Sequence, residues 1–433
     1  MKHDSKWLST QTDLTISQPI RIPEHIIPTS ESPLSPFPVS SITPHSDNPS
    51  SDDLSKSEIP EFRIHKTNST VRQKNLMFIK THKTGSSTLS TTFYLYGIRN
   101  RLNFVLKPFK NILGSVSTNH IPILLPPREE EEWNIQVQHC VFNPEFEHKV
   151  LPKSSSFYTT VLREPQSQFL SAFSFYEEEK RMRDKCMKCS FDDLVNLYMG
   201  ESCPATISTE DPPSNDCLAI KSSAEDLGWK QFQRTVGSKS LKDKVNSFIA
   251  MLDEEMDLVM ITERIDESLA VLKQYMNWNM SDILYFNQKV AQKRSDRELL
   301  QTTKNKISYF KFIENKLYKY FNQSLDRHID KLGREKIKAE VIEFKTYRQS
   351  FEDKCRTIMA NCLECTANGF KAFPAKIEHP ECYFLQYPEF RLFNKAVTDL
   401  RLSDDFTNVH YNYRTDNQLR YLHVIIKQIL SST

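Results

Sequence analysis

Glycine is scarce in this chain: 8 residues of 433, where average usage of about 7% would supply roughly 30. That shortage excludes glycine-repeat fibres and flexible-linker classes. Long apolar runs are also missing, since no window approaches the roughly 18 consecutive apolar residues of a membrane-crossing helix. The first twenty residues, MKHDSKWLSTQTDLTISQPI, lack the basic-then-apolar layout of a signal peptide or signal anchor. Charge of one sign does not dominate. Lys+Arg 57 against Asp+Glu 55 leaves +2, which argues against a nucleic-acid coat or a strongly acidic partner, so an anion site has to be built locally. What remains, 38% hydrophobic and 26% charged residues, is the composition of a globular protein long enough for one large domain or two ordinary ones.

Residues 1–70 hold nine of the 22 prolines, no cysteine, and Ser/Thr/Pro runs such as ESPLSPFPVSSITP. Such a segment cannot assemble a periodic apolar face and reads as a disordered stem or tail, with order beginning near Val71. From there a single pattern recurs three times. Leu76–Ile79 is an apolar run fit for a buried strand, THKTGSST follows as a polar turn, and Leu89, Phe93 and Tyr96 then repeat at helical spacing. Phe157–Leu162, Arg163-Glu164-Pro165 and QSQFLSAFSFYEEEKRMR repeat it, and so do Leu258–Thr262, Glu263-Arg264 and IDESLAVLKQYM. Strands alternating with helices predict an α/β fold with a mainly parallel sheet. Residues 295–350 are charged and helical in pattern, and the cysteine-bearing end beyond them shows no clear period.

Chemistry concentrates at the first two strand-to-helix junctions. Lys80-Thr81-His82-Lys83-Thr84-Gly85-Ser86-Ser87-Thr88 places two lysines, a histidine and several hydroxyls where helix N–H groups and the helix dipole favour an anion. It is a phosphate or sulfate cradle without being a Walker A loop, because Ser86 rather than lysine follows the glycine. The imidazole of His82 is a side chain able to take a proton from a hydroxyl. At the second junction Arg163 closes the strand, and Ser167, Ser171 and Ser174 share one helix face. A guanidinium binds phosphate through two parallel hydrogen bonds, so the two grips together suit a ligand with anionic groups at both ends. The plain alternatives are a basic solvated turn, an arginine capping a strand and serines that allow close helix packing.

These residues resemble the galactose 3-O-sulfotransferase family, the sulfotransferases that use 3'-phosphoadenylyl sulfate (PAPS) and include galactosylceramide sulfotransferase. The likeness is carried by FIKTHKTGSST, TTVLREPQSQFLSAFSFY and ERIDESLAVLKQYMNWNMSDILYFN and runs from about residue 74 to about 330. It implies a P-loop-like sulfotransferase fold over residues 71–433 and transfer of a sulfuryl group from PAPS to the 3-hydroxyl of galactose in a glycolipid or glycan. By the same resemblance His82 is the general base. Lys80 and Lys83 neutralise the phosphosulfate and leaving oxygen, while Thr84, Gly85, Ser86, Ser87 and Thr88 supply donors to it. Arg163 and Ser171 hold the 3'-phosphate. Where the family shows a doubled histidine and a following arginine, this chain has Gln138, His139 and Val141, and YFNQSLDRHID lacks the family's aromatic-tryptophan pair, so the acceptor side is altered. His139 ends the predicted strand NIQVQH, either as a sugar contact and second acid/base or as a core histidine. No metal and no nucleic acid are expected.

The family's members are typically Golgi membrane proteins with an N-terminal anchor and a lumenal catalytic domain, so the resemblance implies membrane association and an upstream hydrophobic segment in the full transcript. Sequons at Asn68, Asn279 and Asn322 and nine cysteines, including Cys186/Cys189 and Cys362/Cys365, suit a lumen. Zinc at Cys186, Cys189, Cys203 and Cys217 is the alternative to disulfides, at spacings wider than a compact finger. Rival functions are transfer to another sugar such as a glycosaminoglycan uronic acid, a kinase, and a non-catalytic nucleotide- or glycan-binding relative.

Overall fold

The computed structural model describes residues 72–107, 112–115, 132–202, 222–286 and 298–360, with Leu124, Pro127 and Cys382. The stem of residues 1–70, Val71, Asn68, Cys203, Cys217, Cys362 and Cys365 lie outside the described residues.

The three recurrences become the centre of the molecule. Strand β1 (Leu76–Ile79), β5 (Phe157–Leu162) and β6 (Leu258–Ile261) pair in parallel, and a short β3 (Ile135–Gln136) adds to the other side of β1, giving the order β3-β1-β5-β6. Every residue of β1, β5 and β6 is buried, which explains their continuous apolar runs: a parallel strand covered on both faces has no polar side to show. The two threonines in β5 fit because their hydroxyls bond across the sheet, Thr160 to the Ile79 carbonyl and Thr159 to the Leu258 carbonyl, both at 2.8 Å. A buried hydroxyl left unpaired would cost roughly 1–3 kcal/mol.

Helix α1 (Ser86–Arg99) follows β1 and buries Leu89, Phe93 and Tyr96 as the spacing predicts. Gly97 in its last turn is forced by packing, since a Cβ there would sit 2.3 Å from the Phe104 ring. A two-stranded parallel sheet pairs β2 (Ile112–Ser115) with β4 (His139–Val141), and α2 (Pro144–Val150) follows. The predicted strand NIQVQH is therefore corrected. The chain breaks at Val137–Gln138, where the Gln136 side chain bonds both the N–H and the carbonyl of Gln138. His139 begins β4 in the second sheet instead of ending a strand in the first.

A second correction concerns the helix after β5. The residues read as one helix form α3 (Pro165–Phe175) and α4 (Glu178–Lys185), split where Glu177 adopts a left-handed backbone with φ 61°. Ser174 donates to the Glu179 carboxylate at 2.9 Å across that corner. A satellite core then forms among α3, α4, α5 (Phe191–Ser202) and α10 (Gln301–Phe310), built on Phe169, Phe173, Met182, Val195, Tyr198 and Ile307.

Between α5 and β6 come the short α6 (Ser223–Asp226), α7 (Trp229–Thr235) and α8 (Leu241–Glu255). Helices α9 (Ile265–Met276), α11 (Phe312–Leu332) and α12 (Arg334–Ala360) complete the described fold, in keeping with the helical pattern read over 295–350. This is an α/β architecture with a parallel central sheet flanked by helices. Cys186–Cys189 and Cys355–Cys382 are disulfides, and Cys140 is a buried free thiol. Because Cys186 and Cys189 are joined to each other, the zinc alternative that needs both thiolates does not hold.

Candidate functional site

In open parallel sheets ligands bind outside the carboxyl ends of the strands, at the point where strand order reverses. Here β1 leads to β3 on one side while β5 lies on the other, so the reversal falls between β1 and β5. The loops after these two strands are the two constellations singled out in the sequence.

The Thr81–Gly85 loop is held tightly from within. The Thr81 hydroxyl donates to the Val161 carbonyl of β5 at 2.6 Å, and the Thr262 hydroxyl, just beyond β6, sits 2.7 Å from the Thr84 carbonyl and 2.9 Å from that of Leu162. Lys83 and Gly85 both take left-handed backbones, φ 62° and 74°, which turns the chain sharply into α1. At Gly85 this conformation is free of strain, whereas at Lys83 the surrounding bonds must hold it. Two expected donors are lost to this bracing. The Thr84 hydroxyl pairs with Thr81, and Ser86 donates to the Thr81 carbonyl, so both point inward and only their backbone N–H groups are left to serve a ligand. Ser87 and Thr88 are half-buried on the first turn of α1.

The two helix starts at this crevice differ. Glu164 caps α3 with its own carboxylate, accepting from Gln166 and Ser167 at 2.9 and 2.7 Å. Gly85 offers α1 no side-chain cap. The positive end of α1 is thus open to an external anion, and that of α3 already has an internal one. Arg163, between β5 and α3, donates to the Lys83 carbonyl at 3.2 Å and ties the two loops together; Ser171 lies on the second turn of α3, half-buried. Lys80 is 2% exposed at the end of β1. The Lys83 ammonium lies 3.6 Å from the ring centre of Phe175, an aromatic that is 55% exposed.

His82 and His139, 57 residues apart in sequence, come together with ring centres 4.2 Å apart and planes at 19°. His139 Nδ1 is 3.2 Å from the Lys80 carbonyl, so it belongs to the loop's surroundings and not to an apolar core. Sequence reasoning missed the group on the other edge of His82. Asp226, 144 residues away, places its carboxylate 2.7 and 2.9 Å from His82 Nδ1 and accepts the His82 backbone N–H at 2.6 Å. Nothing in the run SAEDLGW marks Asp226 out, because its role depends on a contact between distant segments. Beneath His139, Gln138 is fully buried with neither amide atom paired among the described residues. Close by, burial pushes the Glu147 carboxyl up to about 8, and burial together with Glu147 holds the Cys140 thiol well above its usual range.

A parallel α/β sheet whose switch point carries a lysine-histidine loop, an open helix start and an arginine offers an anion a place to bind. The family model of galactose-3-O-sulfotransferases matches residues 37–363, most of the chain. The chain belongs to that family, and with it to the sulfotransferases acting on galactose. Among its relatives are galactose-3-O-sulfotransferase 2 of Homo sapiens, 26% identical over 289 residues, covering 65% of this chain and 68% of the relative. Galactosylceramide sulfotransferase of Mus musculus is 24% identical over 284 residues, covering 65% of this chain and 64% of the relative. Galactose-3-O-sulfotransferase 3 of Homo sapiens is 25% identical over 300 residues, at 66% and 65%. The matched segments span about two thirds of these relatives' lengths. Among the described residues no helix is long and apolar enough to cross a membrane.

Proposed function

We propose that this chain transfers a sulfuryl group from PAPS to the 3-hydroxyl of galactose in galactosylceramide or a related glycolipid or glycan. The observation that carries the reading is His82 set between Lys80 and Lys83 at the switch point, with Nδ1 engaged and Nε2 left as the nitrogen able to take a proton. PAPS supplies the activated sulfuryl group, and its two anionic ends match two sets of residues. On this reading Lys80, Lys83 and the uncapped start of α1 would hold the 5'-phosphosulfate, with Gly85 allowing close backbone approach. Arg163 and Ser171 take the 3'-phosphate.

In the reaction the galactose 3-hydroxyl loses its proton to His82 Nε2 as its oxygen bonds to sulfur. The bond from sulfur to the 5'-phosphate oxygen breaks, and 3'-phosphoadenosine 5'-phosphate leaves. Negative charge builds on the sulfuryl oxygens and the leaving phosphate, where fixed cations and helix N–H groups stabilise it without reorganising. His139, stacked on His82, faces the acceptor side. Two disulfides and the sequons support an oxidising lumenal compartment of the Golgi type. Membrane attachment belongs to the same proposal, as does the division at about residue 70 between a Pro/Ser-rich stem and a catalytic domain.

The test incubates the purified chain with labelled PAPS and a panel of galactosylceramide, lactosylceramide, β-galactosyl oligosaccharides and a uronic-acid glycan. Labelled 3-O-sulfogalactose is the expected product, and His82→Ala should remove roughly 10²–10⁴-fold of the rate while PAPS still binds. Binding without turnover on any acceptor would mark a non-catalytic relative, and labelling of the uronic acid alone would move the acceptor class.

A further inference from the structure

We infer that Asp226 is the residue that positions His82 for proton abstraction, an inference that rests on reading His82 as the base. A carboxylate only accepts hydrogen bonds. With both oxygens within 2.9 Å of Nδ1, it keeps the ring proton on that nitrogen and leaves the lone pair on Nε2. The same carboxylate accepts the His82 backbone N–H, so ring and main chain are fixed by one group and the imidazole cannot swing without breaking both contacts. When Nε2 takes the proton, the resulting imidazolium is neutralised at its far edge by the carboxylate, in a loop that already carries Lys80 and Lys83.

Asp226 is itself held in place. The buried Ser222 hydroxyl caps α6 by accepting from Ala224 and Glu225 at 3.1 and 3.3 Å. The Asp226 carbonyl accepts the Phe142 N–H at 2.8 Å, joining α6 to the end of β4. Gly228 follows with φ 90°, and a Cβ there would lie 2.5 Å from the Phe142 carbonyl oxygen, so only glycine closes this turn. The strand that presents His139 and the loop that presents His82 therefore share one anchor. A purely structural role would need only an acceptor for the His82 backbone N–H, which an asparagine also offers.

That difference sets the experiment. Asp226→Asn should lower kcat by roughly 10²–10⁴-fold, with the KM for PAPS and calorimetric affinity for 3'-phosphoadenosine 5'-phosphate within about twofold; Asp226→Glu should recover part of the rate. Combined with His82→Ala, Asp226→Asn should cost nothing further, because the carboxylate acts only through the imidazole. Nitrogen-15 NMR of the unmodified protein should show His82 protonated on Nδ1, a readout that survives even if the variants fold poorly. An Nε2-protonated His82, an Asp226→Asn kcat within about threefold of the parent, or additive loss in the double variant would each overturn the inference. If His82→Ala itself keeps full activity, the reading of His82 as the base fails instead.

Discussion

At His82 an imidazole becomes specific through what surrounds it: a carboxylate on Nδ1, a stacked imidazole on one face and lysines on either side in the chain. Two glycines nearby do different jobs. Gly85→Ala meets nothing closer than a Thr262 methyl at 3.7 Å, so its cost is the left-handed backbone alone, about 1–2 kcal/mol. Gly228→Ala combines that strain with a clash against main chain and should cost roughly 2–5 kcal/mol. Thermal melts should rank the two in that order. Gly228→Ala should also lose transfer out of proportion to PAPS binding, since it displaces Asp226; equal melting losses would contradict this account.

The open start of α1 and the self-capped start of α3 divide labour between neighbouring elements. Removing the Glu164 cap by Glu164→Ala should destabilise α3 by about 1 kcal/mol and, on the proposed placement of the 3'-phosphate at Arg163 and Ser171, raise the KM for PAPS by loosening their spacing. At the other end of α3, Phe175 gives the Lys83 ammonium an aromatic face. Contacts of this kind are worth about 0.5–1 kcal/mol at exposed sites, so Phe175→Ala should raise the same KM by a few-fold and leave Tm nearly unchanged. A fall of several degrees would instead place Phe175 in the satellite core.

For the whole molecule the buried Glu147 sets an acid-side preference. Its carboxyl rises from 4.5 to about 8 because burial disfavours the charged form, and Cys140, Glu255 and the Asn143 N–H are the groups around it. The folded state then holds a proton that the unfolded chain has released. Stability from this group is full below about 4.5, falls as pH rises through about 8, and is flat above, by at most about 5 kcal/mol. Melting temperature should decline over that window, and Glu147→Gln should flatten the decline. The Cys355–Cys382 bridge spans 27 positions against 3 for Cys186–Cys189. Loop-closure entropy assigns it the larger share, about 3–4 kcal/mol against about 2, so Cys355→Ala should lower Tm more than Cys186→Ala.

Local chemistry was written into the chain plainly enough to read. Continuous apolar runs announced the buried parallel strands, and the lysine-histidine loop and Arg163 stood directly after two of them, where any parallel sheet places its ligands. Neighbours along a chain are legible because strand, turn and helix periods are properties of adjacent residues. The break after Gln136, the split at Glu177, the inward hydroxyls of Thr84 and Ser86 and above all Asp226 were decided only by folding. Each depends on a partner brought in from elsewhere: β2 capturing β4, a corner closed by Ser174 and Glu179, a carbonyl in need of a donor, a carboxylate 144 positions from its histidine. The candidate residues could be named from sequence, but which nitrogen of His82 is engaged follows from the fold, because a hydrogen bond selects by position in space and carries no signature along the chain.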